Sequence, residues 1–420
     1  MRRAVVLAAV LLVNLACPPA RVRVREPGSL VRGNVAPGFE EVREEFLRNF
    51  TERGEYGAAC CVWWRGEKVV DLWGGYADIR ARRPWQQHTC VMVFSTTKGM
   101  SALALALCHS RGWLDYDAPV ARYWPEFAAN GKAEITVRQL LGHQAGLPAP
   151  DRRLTISDIE NLDALAEVLA RQRPLWPPGT RQGYHLASLG LYENELLRRV
   201  DPLGRTLGRF FAEEVAAPLG IRFYIGLPDT VPDERLATIY RTSLVKAALT
   251  RPLSEDLGML RPRALLHRAT RIPADADPNS RRTRAIEQPS YNGIGEVRAV
   301  ARVYSEFATG GRTLGLDSAT LAELAGPPGL PDSGRVDFVL HEPSWFRLGL
   351  FKPGRDFWFG STIRSYGHPG LGGSMGFADP DLGLGFAYAP NRLGMNRDSG
   401  ARRRALAAAA YRCVERALGR

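Results

Sequence analysis

Beyond its first twenty residues the 420-residue chain has no apolar run near the roughly 18 to 20 residues that a membrane-spanning helix needs, which excludes a multi-pass membrane protein. Internal repeats and low-complexity blocks are missing too, so solenoid, collagen-like and disordered chains are excluded. Cysteine is scarce, with six residues, none in C-x-x-C spacing, scattered over a chain too long to need stapling. Cys60 and Cys61 are adjacent in a strand-like run, so their side chains point to opposite faces. No His, Cys, Asp or Glu cluster has metal-ligand spacing and no glycine-rich segment fits a nucleotide fingerprint, so neither metal nor cofactor is expected. Lysine is scarcer still, with five among 56 basic residues.

What is present is ordinary globular composition, 45% hydrophobic and 24% charged, with a formal charge of +12 that raises nucleic acid or an acidic membrane as partners. Its distribution removes most of that support. Residues 1–36 carry six Arg against Glu26, and the last twenty carry six Arg against Glu415, which leaves only +2 over residues 37–400. Nucleic acid is therefore not an expected partner. The terminal arginines read as the solvated face of a helix whose Leu406, Ala410 and Val414 side packs on a sheet.

Arg2 and Arg3 precede an apolar run over residues 4–16 that is closed by Cys17, Pro18, Pro19 and Ala20. This pattern fits a secretory signal, or a signal anchor, over residues 1–20, followed by a linker over 21–37 and one domain over 38–420. The expected location is secreted or extracytoplasmic, with membrane association through the N-terminal segment. Asn49-Phe50-Thr51 is a sequon that would matter only in a pathway that glycosylates asparagine.

Phe39, Val42, Phe46 and Phe50 have helical spacing, and strand-like runs follow at 58–64 and 69–75. Residues 95–312 are mostly helical in pattern, including 100–111, 163–171 and 295–309. Strands return at 374–378 and 382–389, and a helix closes the chain over 399–418. Strands at both ends with helices between predict an α/β (α+β) fold: one antiparallel sheet formed by the two chain ends, flanking helices, and an inserted, mostly helical lobe. Residues 251–289, rich in Arg, Pro and Asp, read as an irregular lobe edge or lid.

Ser95 and Lys98 stand just before the apolar run 100–107. Three residues apart at the start of a helix they share a face, so the amine reaches the hydroxyl, and the helix N-terminus favours a developing alkoxide. A serine hydroxyl needs a neighbouring base. Lys98 serves only if burial or a nearby cation lowers its pKa from about 10.4. Spacing alone is weak, since chance places about 0.2 such pairs in a chain with 18 Ser and five Lys. A second pair, Ser243 and Lys246, has no strand-like approach, no following glycine and no long apolar helix. Taken alone, Ser95 and Lys98 would be a helix cap and a solvated lysine.

The neighbourhood decides. Residues 70–78, 94–99, 112–120, 135–147, Pro178-Gly179-Thr180, Gly183-Tyr184-His185 and 367–374 together resemble the β-lactamase-related serine hydrolases: class C β-lactamases, serine D,D-peptidases and β-lactamase-like carboxylesterases. The resemblance runs from about residue 38 to 390 and implies the β-lactamase/transpeptidase-like fold. It makes Ser95 the acylated nucleophile, Lys98 its base, and Tyr184 a hydroxyl that shares a proton with Lys98 and protonates the leaving group. His368, Pro369 and Gly370 match the third motif, on a strand edging the substrate, with the N–H groups of Ser95 and Leu371 as oxyanion hole. His143 and His185 read as structural or rim residues.

Two departures bear on substrate. Leu186 stands where the β-lactamases carry an Asn that contacts the lactam side chain, and Pro369 supplies neither hydroxyl nor N–H to a substrate carboxylate. Both favour an esterase, which needs the acylation machinery but not those contacts. The expectation is a serine hydrolase acting on a small-molecule ester or amide, most simply a carboxylic ester. The alternatives are a β-lactamase or D,D-peptidase, and a catalytically inactive scaffold of the same fold.

Overall fold

The structure, a computed structural model, describes residues 31–241, 265–270, 273, 275–354, 359–394 and 397–419. The expected signal or anchor over 1–20, the Ser243 and Lys246 pair and much of the lid segment 251–289 lie outside the described residues.

The two apolar runs near residue 60 form a hairpin, β2 (Gly57–Trp64) and β3 (Glu67–Asp78), with β1 (Val31–Val35) on the outer edge of β3. The segment read as a linker thus contributes a strand, held by its register of Val31 to Val35 against Gly74 to Val70. The sheet is antiparallel and has nine strands among the described residues, in the order β1-β3-β2-β12-β11-β10-β9-β8, with β4 (Arg83–Pro84) also on β3. β8 (Phe346–Arg347), β9 (Leu350–Phe351), β10 (Tyr366–Pro369), β11 (Met375–Asp379) and β12 (Leu384–Pro390) come from the other end of the chain. The two ends meet where β12 pairs with β2.

Side-chain alternation sends each strand to two cores. Cys60 joins the cluster under α1 (Glu40–Thr51) and the terminal helix, and Cys61 the opposite one. The five cysteines at 60, 61, 90, 108 and 413 are all buried and free. On the Cys61 face lies α2 (Thr96–Ser110), whose residues 96–108 are all buried; apolar all round, it is a helix that only a protein interior accommodates. Between the sheet halves the chain forms the helical lobe, including α3 (Leu189–Val200), and then α4 (Val297–Ala308), which packs back on β2, β11 and β12. This lobe is less uniformly helical than expected, because β5 (Val91–Met92), β6 (Phe223–Ile225) and β7 (Gly293–Gly295) form a second sheet in the order β5-β7-β6. The architecture is α+β, a sheet from both chain ends with an inserted lobe.

Two surface expectations are corrected. Asn49 of the sequon is fully buried, its Oδ1 accepting from Arg53 at 3.0 Å, so it presents no glycan site. On the terminal helix α5 (Arg397–Ala417), Arg412 and Arg416 do face outward and pair with Glu41, but Arg402 is fully buried against Glu55. No helix among the described residues is long and apolar enough to cross a membrane.

Candidate active site

The site begins where β5 runs into α2. Phe94 takes a left-handed backbone (φ +48°), which turns the chain sharply and leaves Ser95, half-buried, at the helix start. A left-handed conformation is costly for an aromatic residue and is held from outside. Thr97 Oγ1 donates to the Phe94 carbonyl at 2.5 Å and accepts from the Gly293 N–H at 2.8 Å, while Val93 N–H donates to Gly293 O at 2.9 Å. From the other side Ser374 Oγ donates to Val93 O at 2.6 Å and accepts from Thr96 Oγ1 at 3.1 Å.

Lys98 follows one turn on and is fully buried. Its amine donates to the carbonyls of Leu186 at 2.5 Å and Ser290 at 2.8 Å, and lies 3.5 Å from Ser95 Oγ. Burial drives its pKa down from 10.5 to about 7, with the Glu193 carboxylate pulling the other way. The condition set by the sequence, a lysine whose pKa is lowered so that the amine is substantially neutral near pH 7, is met by desolvation.

Tyr184 is clamped by main-chain contacts on both sides. Its N–H donates to Asp337 Oδ2 at 2.8 Å, and the flanking Gly183 and His185 N–H groups donate to His143 O at 2.9 Å and His143 Nδ1 at 3.0 Å. His143 and His185 are fully buried, and desolvation holds both imidazoles below their ordinary range, so they act as neutral braces. The expected Lys98 to Tyr184 hydrogen bond takes another form. The amine faces the Tyr184 ring, 4.9 Å from its centroid, whereas the hydroxyl bonds to Ser95 and lies 3.4 Å from His368 Nε2. Burial pushes this phenol up and the Ser95 hydrogen bond pulls it back.

His368 is buried on β10, its Nε2 beside the Tyr184 hydroxyl. Its Nδ1 lies 2.7 Å from Pro369 O, which assigns the proton to Nδ1 and leaves Nε2 to accept from Tyr184; burial, then the nearby Lys98, keeps the ring neutral. At Gly370 a Cβ would lie 2.1 Å from Ser374 Oγ and 2.3 Å from Val93 O, so the glycine admits the serine turn. Leu371 is 62% exposed and opens the turn Leu371–Gly373. Neither its N–H nor that of Ser95 is used in the turn hydrogen bonds around it.

Sequence reasoning missed Ser290, Glu193 and Asp337. Ser290 acts through a carbonyl, which no residue pattern reveals. Glu193 is fully buried on α3 with neither carboxylate oxygen hydrogen-bonded, and burial raises its pKa to about 8 against the pull of Lys98. Asp337 accepts from the Val339 and Leu340 N–H groups, both at 2.8 Å, an Asx-type turn whose only sequence trace is an Asp before an apolar run. Among the described residues no group of three or more His, Cys, Asp or Glu could hold a metal ion.

The chain is 33% identical over 375 residues to the esterase/beta-lactamase LipL of Mycobacterium tuberculosis, covering 88% of this chain and 84% of that protein. The crystal structure of a family VIII carboxylesterase superposes with a TM-score of 0.80 at 37% identity, covering 91% of this chain and 99% of that one. A penicillin-binding protein homologue from Caulobacter crescentus gives 0.78 at 34% identity, with coverage of 91% and 99%. The family model described as beta-lactamase matches residues 43–411, and the chain belongs to the beta-lactamase family.

Proposed function

We propose that the protein hydrolyses carboxylic esters through an acyl-enzyme on Ser95. The observation that carries this reading is the hydrogen bonding of Lys98. Two main-chain carbonyls take two N–H bonds, and a neutral amine then has its lone pair left for the Ser95 hydroxyl at 3.5 Å. In the acylation step Ser95 Oγ bonds to the ester carbonyl carbon and its proton passes to Lys98. The carbonyl oxygen, now negative, is received by the N–H groups of Ser95 and Leu371. As the tetrahedral adduct collapses, the ester C–O bond breaks and the Lys98 ammonium returns the proton to the departing alcohol, with the Tyr184 hydroxyl beside Ser95 as hydrogen-bond partner. Water repeats the sequence in reverse to free the acid and restore Ser95. Neutral His368 orients the Tyr184 hydroxyl by accepting its hydrogen bond at 3.4 Å.

Leu186 and Pro369 support esters over β-lactams and peptides, because neither offers a polar group to an acylamino side chain or a substrate carboxylate. The names of the relatives, esterase/beta-lactamase and carboxylesterase, point the same way. The half-exposed Ser95 argues against a closed, inactive scaffold. The test uses a fluorophosphonate probe, a short-chain nitrophenyl ester and a chromogenic cephalosporin, with Ser95→Ala as control. Labelling and ester turnover lost in Ser95→Ala support the reading; cephalosporin turnover without ester turnover replaces it with a β-lactamase; a wild type inert to all three leaves the scaffold.

The location belongs to the same proposal. Export or anchoring by residues 1–20 rests on Arg2, Arg3 and the apolar run that follows. Fractionation of cells expressing the full chain tests it, and recovery wholly from the cytoplasm would contradict it.

A further inference from the structure

The C-terminal helix reaches the Leu371 turn from behind. Arg402, buried in α5, places Nη1 2.6 Å from Glu55 Oε1, with neither side chain exposed. The other Glu55 oxygen accepts from the Tyr388 hydroxyl. Arg402 Nη2 donates to two main-chain carbonyls, Gly372 at 3.2 Å and Arg392 at 3.1 Å. The Gly372 carbonyl also accepts the Gly394 N–H at 3.0 Å.

The turn needs such restraint. Gly372 and Gly373 follow Leu371 in succession, both at positive φ (+82° and +118°), where the absence of a Cβ leaves the peptide planes free to rotate. At Gly372 a Cβ would lie 2.3 Å from Leu393 Cδ2, so a stiffer residue cannot take its place. A buried ion pair is a poor source of stability, and an apolar pair of similar volume often serves as well or better. What an apolar pair cannot do is hold two carbonyls with one fork of donors, as the Arg402 guanidinium does.

We infer that Arg402 is a positioning residue for the oxyanion hole: neutralised by Glu55, its guanidinium fixes the Gly372 carbonyl, whose peptide carries the Gly373 N–H that donates to Gly370 O at 3.2 Å, and the Gly370 carbonyl shares its peptide plane with the Leu371 N–H. This rests on the reading of Leu371 as an oxyanion donor. Preorganised donors act only when aimed at the oxygen that becomes negative, so a misdirected N–H lowers turnover more than substrate binding.

The test compares a nitrophenyl ester with its thionoester. In the thionoester the negative charge forms on sulfur, which N–H donors stabilise poorly, so the oxo-to-thiono rate ratio reports on the hole itself. Arg402→Met deletes the fork but leaves Glu55 unpaired. Glu55→Gln/Arg402→Met removes both charges and keeps the test valid should the single variant fail to fold, and Arg402→Lys restores a cation without the fork. For the folded Met variants the expected result is a kcat about tenfold or more lower on the oxo ester, KM little changed and the oxo-to-thiono ratio reduced to match, with Arg402→Lys between them and wild type. Folded variants that keep the wild-type ratio, whatever their stability, would overturn the inference and leave Arg402 a purely structural residue. Leu371→Pro, which deletes the N–H itself, distinguishes the underlying reading: if it leaves the ratio unchanged, Leu371 is no oxyanion donor and the inference falls with it.

Discussion

Lys98 in the first turn of α2 and Lys132 in the helical lobe are both without solvent exposure, and both aim their amines at main-chain carbonyls. Lys132 meets three: Ala129 at 2.6 Å, Ala170 at 2.8 Å and Gln172 at 2.6 Å. All three N–H bonds of an ammonium are used, so the cation ties the end of the helix Leu162–Arg171 to the loop at Ala129, and no lone pair is on offer. Lys98 meets only two carbonyls, and its third neighbour is a hydroxyl. Burial lowers both pKa values, to about 8 for Lys132 and about 7 for Lys98. Desolvation thus does not by itself make a base; one vacant acceptor position, filled by Ser95, does.

The sharpest break in that contrast is Ser95→Ala, which takes away what the lone pair acts on. Ester hydrolysis falls by about 10⁴-fold or more, and fluorophosphonate labelling disappears. Next, Lys98→Met lowers kcat/KM by roughly 10²- to 10⁴-fold, the range for a general base, measured on protein whose circular dichroism matches wild type. Lys132→Met does the reverse. It leaves three buried carbonyls without their donor and lowers stability by on the order of 3 kcal/mol, read from denaturant unfolding, while activity per folded molecule stays near wild type. A Lys132→Met enzyme that folds normally but has lost turnover would erase the distinction between the two lysines.

Smaller effects concern pH. Lys98 is protonated and inactive below its lowered pKa and neutral above it, so log kcat/KM rises with pH and levels off above about 7. Lys132→Met keeps the same limb. The smallest shift belongs to Glu193→Gln: burial raises the pKa of this carboxyl to about 8, so it is largely protonated over the acid limb, and its removal leaves the limb in place or moves it only slightly, to lower pH. A limb that moved up would show that Glu193 acts on Lys98 by some route other than its charge.

How much of this was legible follows from distance along the chain. Ser95 and Lys98 lie on one helical turn, so spacing alone places amine beside hydroxyl. The hairpin at 57–78, α5 and the β11 and β12 pair showed through their periodicity. The strands β6 and β7 are three residues long, too short for any period, and fall inside the stretch that reads as mostly helical, whereas β5 lies in the strand-like approach to Ser95. β1 pairs only through its outer-edge position on β3, and its five residues alternate half-buried and exposed, a weak apolar signature. The resemblance named Tyr184 and His368 but not their geometry. Burial of His368 and the turn of the Tyr184 ring toward Lys98 come from Phe346, Phe351 and His143 packing around them, contacts that span up to about two hundred residues. Arg402 looked like one more charge on a basic helix because its partner, Glu55, stands 347 residues away.

The position of β12 between β2 and β11 has a consequence for how the protein is made. A chain leaving the ribosome has Ser95 and Lys98 early, but the Ser374 clamp on the serine turn, the Leu371 N–H and the strand that joins the two halves of the sheet are translated some 275 to 295 residues later. Until then β2 presents an open edge and the machinery around Ser95 is incomplete, so closure of the sheet and assembly of the site coincide. At synthesis rates of about 5–20 residues per second, that is an interval of roughly 15 to 60 seconds in which the growing chain carries Ser95 without the groups that surround it in the folded protein.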